Sequence, residues 1–197
     1  MIFNYNFKFN IEKINSFISQ NNLKILDFGC GLGNWKISDL KSTKVKKIVF
    51  FDKDRKLIKH LKKKYNLKKV EVEFNYKKLQ NKEFNLIIIS SVIQYIPPAK
   101  LKNILFFLTK KKQNVYIILN DIPFLPRPIE FMLLPLFNLK RFFFVTSLLF
   151  SSQYNDLNYF LYKKKDFRIY TKKFKIRFIK NFHDLKFLRY GVIMKLK

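Results

Sequence analysis

The 197-residue chain has four glycines, one cysteine, one tryptophan and, at Ala99, a single alanine. Acids are scarce too: 13 Asp and Glu stand against 41 Lys and Arg, a formal net charge of +28. A lone Cys30 excludes an internal disulfide and a cysteine-rich metal site, so no metal centre is expected. The first residues, Met1-Ile2-Phe3-Asn4-Tyr5-Asn6, lack the basic-then-apolar pattern of a secretion signal, and a cytoplasmic protein is expected. At this length one α/β domain with a sizeable core is the natural size class.

Arginine is also rare. Only Arg55, Arg127, Arg141, Arg168, Arg177 and Arg189 carry the guanidinium fork that suits bidentate phosphate recognition. The remaining basic residues are lysines, and the abundant types (Lys, Asn, Ile, Phe, Tyr) share A/T-rich codons. Compositional drift therefore accounts for much of the charge. RNA binding or RNA methylation using the basic surface stays as the alternative function.

What the chain does keep is placed with economy. Average usage would supply about fourteen glycines; here three of four fall in Asp27-Phe28-Gly29-Cys30-Gly31-Leu32-Gly33, directly after the apolar run Leu23-Lys24-Ile25-Leu26. Glycine costs conformational entropy, so it persists where the backbone needs positive φ or lies against a ligand. Strand, glycine-rich turn and helix in succession is the layout of a nucleotide-cofactor loop.

Around that loop the pattern alternates. Residues 10–20 place Ile11, Ile14, Phe17 and Ile18 on one helical face with Asn10 as N-cap. Strands are expected at 24–28, 47–51, 69–74, 84–90 and 114–119, separated by lysine-rich helices at 55–65 and 99–110, with Pro97 and Pro98 in the first turn of the latter. Such βα units make a parallel sheet covered on both faces. The end of the chain adds two strands, 174–181 and 189–196, joined by a hairpin-like loop. The implied division is a helical segment at 1–22, a core at 23–122, an insertion at 123–160 and a C-terminal helix and strand pair at 161–197.

A dinucleotide fingerprint would put its third glycine at position 34, which is Asn34. The observed D-x-G-x-G-x-G resembles motif I of the class I S-adenosylmethionine (SAM)-dependent methyltransferases. The resemblance implies a Rossmann-like, mostly parallel seven-stranded sheet with helices on both faces and an antiparallel last strand. It makes SAM the cofactor, with Asp27, Gly29, Cys30, Gly31 and Gly33 around its methionine part. Asp52, 19 residues beyond Gly33 and followed by Lys53, matches the motif II acid that binds both ribose hydroxyls; a solvated loop carboxylate is the plainer reading. Asp54 reads as a helix N-cap. At the third strand the family offers an aspartate to adenine, where this chain has Asn75-Tyr76, and the asparagine side-chain oxygen can accept the same bond. After the fourth strand Ser90 and Ser91 would border the cofactor, and Gln94 and Tyr95 would face the acceptor.

Some subclasses are excluded by what is missing. Amino-group enzymes acting on adenine or glutamine carry (Asn/Asp)-Pro-Pro-aromatic after the fourth strand, where this chain reads Ser90-Ser91-Val92-Ile93. Cytosine-C5 enzymes need a cysteine nucleophile, and Cys30 lies inside the cofactor loop. The segments Ser91-Val92-Ile93-Gln94-Tyr95-Ile96-Pro97, Leu119-Asn120-Asp121-Ile122-Pro123 and Leu188-Arg189-Tyr190-Gly191-Val192-Ile193-Met194 resemble, more loosely, small-molecule methyltransferases of saccharide pathways. The expected activity is methyl transfer to a small-molecule hydroxyl, with Asp121 as general base or substrate-orienting carboxylate, or else only a cap for the next segment. His183 is a second candidate base, or a surface-loop histidine.

Between 131 and 150, fourteen of twenty residues are apolar. Lys140 and Arg141 at the centre would cost about 2.5–3.5 kcal/mol each inside a bilayer, and Pro135 and Asn138 add to the case against a span. A lid over the active site and a peripheral membrane contact are the two expectations for this stretch.

Overall fold

The computed structural model describes residues 10–18, 20–33, 35–110, 112–123, 160–180 and 189–197. Most of the 123–160 insertion, Asn34 and His183 lie outside these residues.

Seven strands form one sheet: β1 (Leu23–Phe28), β2 (Val45–Phe51), β3 (Val70–Glu73), β4 (Leu86–Ser90), β5 (Tyr116–Pro123), β6 (Phe174–Lys180) and β7 (Arg189–Leu196), in the order β3-β2-β1-β4-β5-β7-β6. The first five run parallel, and β7 lies antiparallel to both β5 and β6. The helices are α1 (Ile11–Ile18), α2 (Ile37–Lys41), α3 (Arg55–Lys64) and α4 (Pro98–Thr109).

Strand burial explains the apolar runs. Ile25, Ile48, Phe50 and Ile88 face α1 and α3, while Leu26, Val49, Ile87 and Leu119 face the opposite layer with Leu101, Leu105 and Leu108 of α4. A strand covered on both faces needs apolar residues at successive positions. α1 begins where expected, because Asn10 Oδ1 accepts the N–H groups of Glu12 and Lys13 at 2.8 and 3.1 Å. α3 begins where Asp54 Oδ1 accepts the Lys56 N–H at 2.8 Å. Pro98 occupies the first turn of α4 with Pro97 as its N-cap. Five-residue α2 is too short to show a periodic pattern and was not foreseen.

The strand order places the reversal point between β1 and β4: β2 and β3 extend to one side, β5 and β7 to the other. Open α/β sheets bind ligands at the carboxyl ends of the strands flanking such a point. One boundary differs from expectation. The fifth strand does not end at Leu119 but runs to Pro123, because a bulge absorbs Asn120 and Asp121 before pairing resumes at Ile122↔Tyr190 and Pro123↔Arg189. Among the described residues, no helix is long and apolar enough to cross a membrane.

Candidate cofactor and acceptor site

The glycine loop is stitched to the end of β2. The N–H groups of Gly29 and Cys30 donate to the Phe51 carbonyl at 2.8 and 3.1 Å, and the Gly31 N–H donates to Asp52 Oδ2 at 3.0 Å. Asp52 Oδ1 accepts the Asp54 N–H at 3.0 Å. Each carboxylate oxygen thus holds one backbone bond and keeps lone-pair capacity for a further donor such as a ribose hydroxyl. Lys53 is exposed beside it.

All three loop glycines have positive φ, at 71, 54 and 67°. Their surroundings separate them. A Cβ on Gly29 would strike Val92, and one on Gly33 would strike Leu61 and Tyr65, each at 2.7 Å; one on Gly31 meets nothing within 4 Å. Gly31 is therefore the glycine whose missing side chain leaves room for a ligand. The other two are held by packing.

The floor of the loop is polar and buried. Asp27 is 3% exposed, and its Oδ2 accepts Trp35 Nε1–H at 2.9 Å. Burial pushes its carboxyl up from 3.8 to about 7; the Trp35 bond opposes that shift and the nearby Asp52 charge adds to it. Burial also pushes the Cys30 thiol up, which leaves it unreactive. The Tyr65 hydroxyl touches the carbonyls of Gly33 and Trp35 at 2.9 and 3.0 Å, and Lys64 Nζ donates to those of Leu32 and Gly33 at 2.8 and 2.6 Å. Trp35, Lys64 and Tyr65 were missed from sequence. The only signal was that the sole tryptophan directly follows the loop; nothing marked Tyr65, 32 residues beyond Gly33.

Beyond β3, Asn75 Oδ1 accepts the Lys77 N–H at 3.0 Å and so caps a 3-10 turn at Tyr76–Asn81. Glu73 Oε1 accepts the N–H groups of Phe74 and Asn75 at 3.0 and 2.9 Å, fixing the corner expected to meet adenine. The Tyr76 ring stacks on Phe107 at 4.5 Å and meets Phe28 edge-on at 6.2 Å.

A second polar cluster sits where β4 and β5 end. Ser91 and Asp121 are non-glycine residues with φ of 58 and 64°, in a region costly for side-chain-bearing residues. They hold each other: Ser91 Oγ donates to Asp121 Oδ2 at 2.6 Å, and Arg189 donates to the same oxygen at 2.9 Å and to the Asp121 carbonyl at 3.1 Å. Asn120 Nδ2 donates to Ser90 Oγ at 3.1 Å. Gln94 is 4% exposed, and its Nε2 donates to the Ser91 carbonyl at 2.9 Å. Tyr95 is half-buried next to it. The structure thus gathers Asp27, Gly29, Cys30, Gly31 and Asp52 in one group and Ser90, Ser91, Gln94 and Asp121 in another. Gly33 faces α3, and Arg189, 68 residues from Asp121, is an addition.

Two expectations follow. Gly31→Ala should fold, with the positive φ costing on the order of 1 kcal/mol, yet lose most SAM affinity, whereas Gly33→Ala should mainly lower the melting temperature. Calorimetric titration beside thermal unfolding distinguishes them. Asp27→Asn tests the buried acid. Its raised folded-state value means the native state holds a proton that the unfolded state releases, so wild-type stability falls as pH rises from about 4 to about 7 and then levels off. Asp27→Asn should therefore gain melting temperature over wild type, more at pH 8 than at pH 5, while binding SAM more weakly; an equal gain at both pH values contradicts this.

Comparison with known proteins bears on the fold. The family model described as "Methyltransferase domain" matches residues 25–109, which span the glycine loop, Asp52 and the β4 segment. No curated protein matches the sequence. Among solved structures, an S-adenosylmethionine-dependent methyltransferase from Clostridium acetobutylicum is 16% identical at a TM-score of 0.62, with 94% of this chain and 89% of that one covered. The methyltransferase domain of bacterial CtHen1-C is 15% identical at 0.60, covering 93% of both chains. Magnesium protoporphyrin IX methyltransferase from Synechocystis, solved with bound SAH, is 14% identical at 0.58, covering 94% and 82%. The loop, the strand order and the family match converge: residues 25–109 match the methyltransferase-domain family, and the chain has the fold of the SAM-dependent methyltransferases to which it is similar.

Proposed function

We propose that this methyltransferase acts on a hydroxyl of a small-molecule acceptor, a saccharide or lipid-linked intermediate. The observation that carries the reading is the Gln94 amide. Its Nε2 is committed to the Ser91 carbonyl, and its Oε1 is buried with no hydrogen-bond partner. Exchanging the amide nitrogen and oxygen would set Oε1 against that carbonyl, so Ser91 fixes the orientation. A buried acceptor left unmade costs about 1–3 kcal/mol. An acceptor hydroxyl that reached Oε1 as its cover shifts would remove that cost and would itself be oriented by the bond.

Residues that the fold gathers at the loop would hold the cofactor: Gly31 leaves the space, Asp52 offers its two oxygens to the ribose, and Asp27 lies beneath. When bound, SAM supplies a methyl group on a sulfonium, already activated for in-line displacement. What the chain must add is alignment. Gln94 would hold the acceptor's hydrogen so that an oxygen lone pair is left for the methyl carbon, with Tyr95 beside it, and the proton shed by that oxygen on methylation would pass to solvent water.

Asp121 supports this as an orienting group. To take a proton at Oδ2 it would have to give up Ser91 and Arg189, whereas keeping them fixes the turn that carries Gln94. The loose resemblance of the 91–97, 119–123 and 188–194 segments to saccharide-pathway enzymes supports the substrate class.

The test is incubation with methyl-labelled SAM and fractionated cell material. Label should enter a saccharide or lipid fraction as an alkali-stable methyl ether. Gln94→Leu should lower incorporation by about tenfold, the equivalent of one hydrogen bond, with SAM affinity unchanged. Label in RNA, or as an alkali-labile ester, contradicts the reading.

A further inference from the structure

A second concavity lies at the opposite end of the sheet. A cleft of about 540 Å³ opens at the amino ends of β1, β4 and β5, lined by Lys24, Lys82, Glu83, Phe84, Lys110 and Lys112 together with side-chain amides. The six residues of β1, about 20 Å of strand, separate it from the glycine loop.

Its charges are unevenly matched. Lys24 pairs with Glu83, and Lys82 pairs with Glu71 at 2.8 Å and Glu73 at 3.9 Å, with Glu71 also held by Lys47. Lys112 turns inward, donating to the carbonyls of Lys82 and Gln80 at 2.6 and 3.4 Å over the Phe84 ring. Among the described residues it touches no carboxylate; Glu83 reaches it only through space, and burial holds its ammonium below the ordinary lysine range. Glu83 faces the positive charges of Lys24, Lys46 and Lys112 together, and Lys110 is exposed at the rim. Exposed Lys44, ahead of β2, and Lys195 and Lys197, at the end of β7, carry the positive track across the same edge. Drift in composition explains many lysines, but not why, among the described residues, Asp27, Asp52, Asp54 and Asp121 gather at the other edge while this one is mostly lysine.

We infer that this edge binds the phosphate backbone of a single-stranded nucleic acid, with Lys46, Lys110 and Lys112 as its principal contacts. Spaced cations along a groove are the electrostatic requirement for such a strand. The amides of Gln80, Asn81 and Gln113 in the cleft add donors and acceptors for sugar and base edges. A membrane surface fits less well. The cleft is concave, Phe84 is buried, and the exposed large hydrophobics among the described residues (Ile37, Phe74, Ile169, Phe178) lie outside it. A strand held here is tethered away from the cofactor, so the inference stands apart from the choice of methyl acceptor.

The test measures affinity for a labelled 20-nucleotide oligouridine from about 50 to 200 mM salt. Wild type is compared with K46Q/K110Q/K112Q and with a control, K59Q/K62Q/K63Q, on the exposed face of α3. The slope of log affinity against log salt should fall by about 2 in the cleft variant, roughly 0.7 per lysine, and change little in the control. SAM affinity should be the same in all three. If the inward Lys112 proves necessary for folding, K46Q/K110Q alone should lower the slope by about 1.4. No binding by wild type at the lowest salt overturns the inference. So does an equal loss in control and cleft variants, or binding to anionic vesicles without binding to RNA.

Discussion

The hydrogen bond from the Gly31 N–H to Asp52 Oδ2 is the joint on which the site depends. It ties the loop after β1 to the acid after β2, and the Gly29 and Cys30 bonds to the Phe51 carbonyl close the same seam. The loop keeps its left-handed turns because they place those N–H groups on β2. Asp52 in turn is held with oxygens still able to accept. Lys64 and Tyr65 grip the loop from the end of α3, so the helix that Asp54 starts finishes by holding the glycine turn.

The same arrangement explains where electrostatic cost is carried. Asp27 lies in a place that raises its pKa toward neutrality, a destabilising choice in the absence of ligand. A cationic cofactor makes sense of a buried acid supported by a tryptophan N–H, with a second carboxylate nearby. Proteins tolerate such local cost where function needs it. The strained pair Ser91 and Asp121 is a second instance: two positive-φ residues held in place by an arginine arriving from the far end of the chain.

Much of this was legible in the sequence because its signals are local. Apolar runs marked the strands, Asn10 and Asp54 marked helix starts, and D-x-G-x-G-x-G with Asp52 marked the two segments that the fold joins at the ends of β1 and β2. The loop glycines read as one feature but are two. Their common need is positive φ, whereas only Gly31 faces open space, and that distinction requires knowing that Val92, Leu61 and Tyr65 pack on the others. The β5 bulge and the Asp121–Arg189 pair were invisible for a similar reason, since both arise from pairing with β7, a strand about 70 residues away in the chain. α2 escaped because five residues carry no period.

The most direct measurement of the central claim is calorimetric titration of SAM into wild-type protein and into Asp52→Ala, each checked for folding by circular dichroism. Saturable one-to-one binding by wild type, weakened at least about tenfold (about 1.4 kcal/mol) in a folded Asp52→Ala, is the predicted result. A well-folded wild type that binds no SAM, or an Asp52→Ala that binds it equally well, would contradict the account.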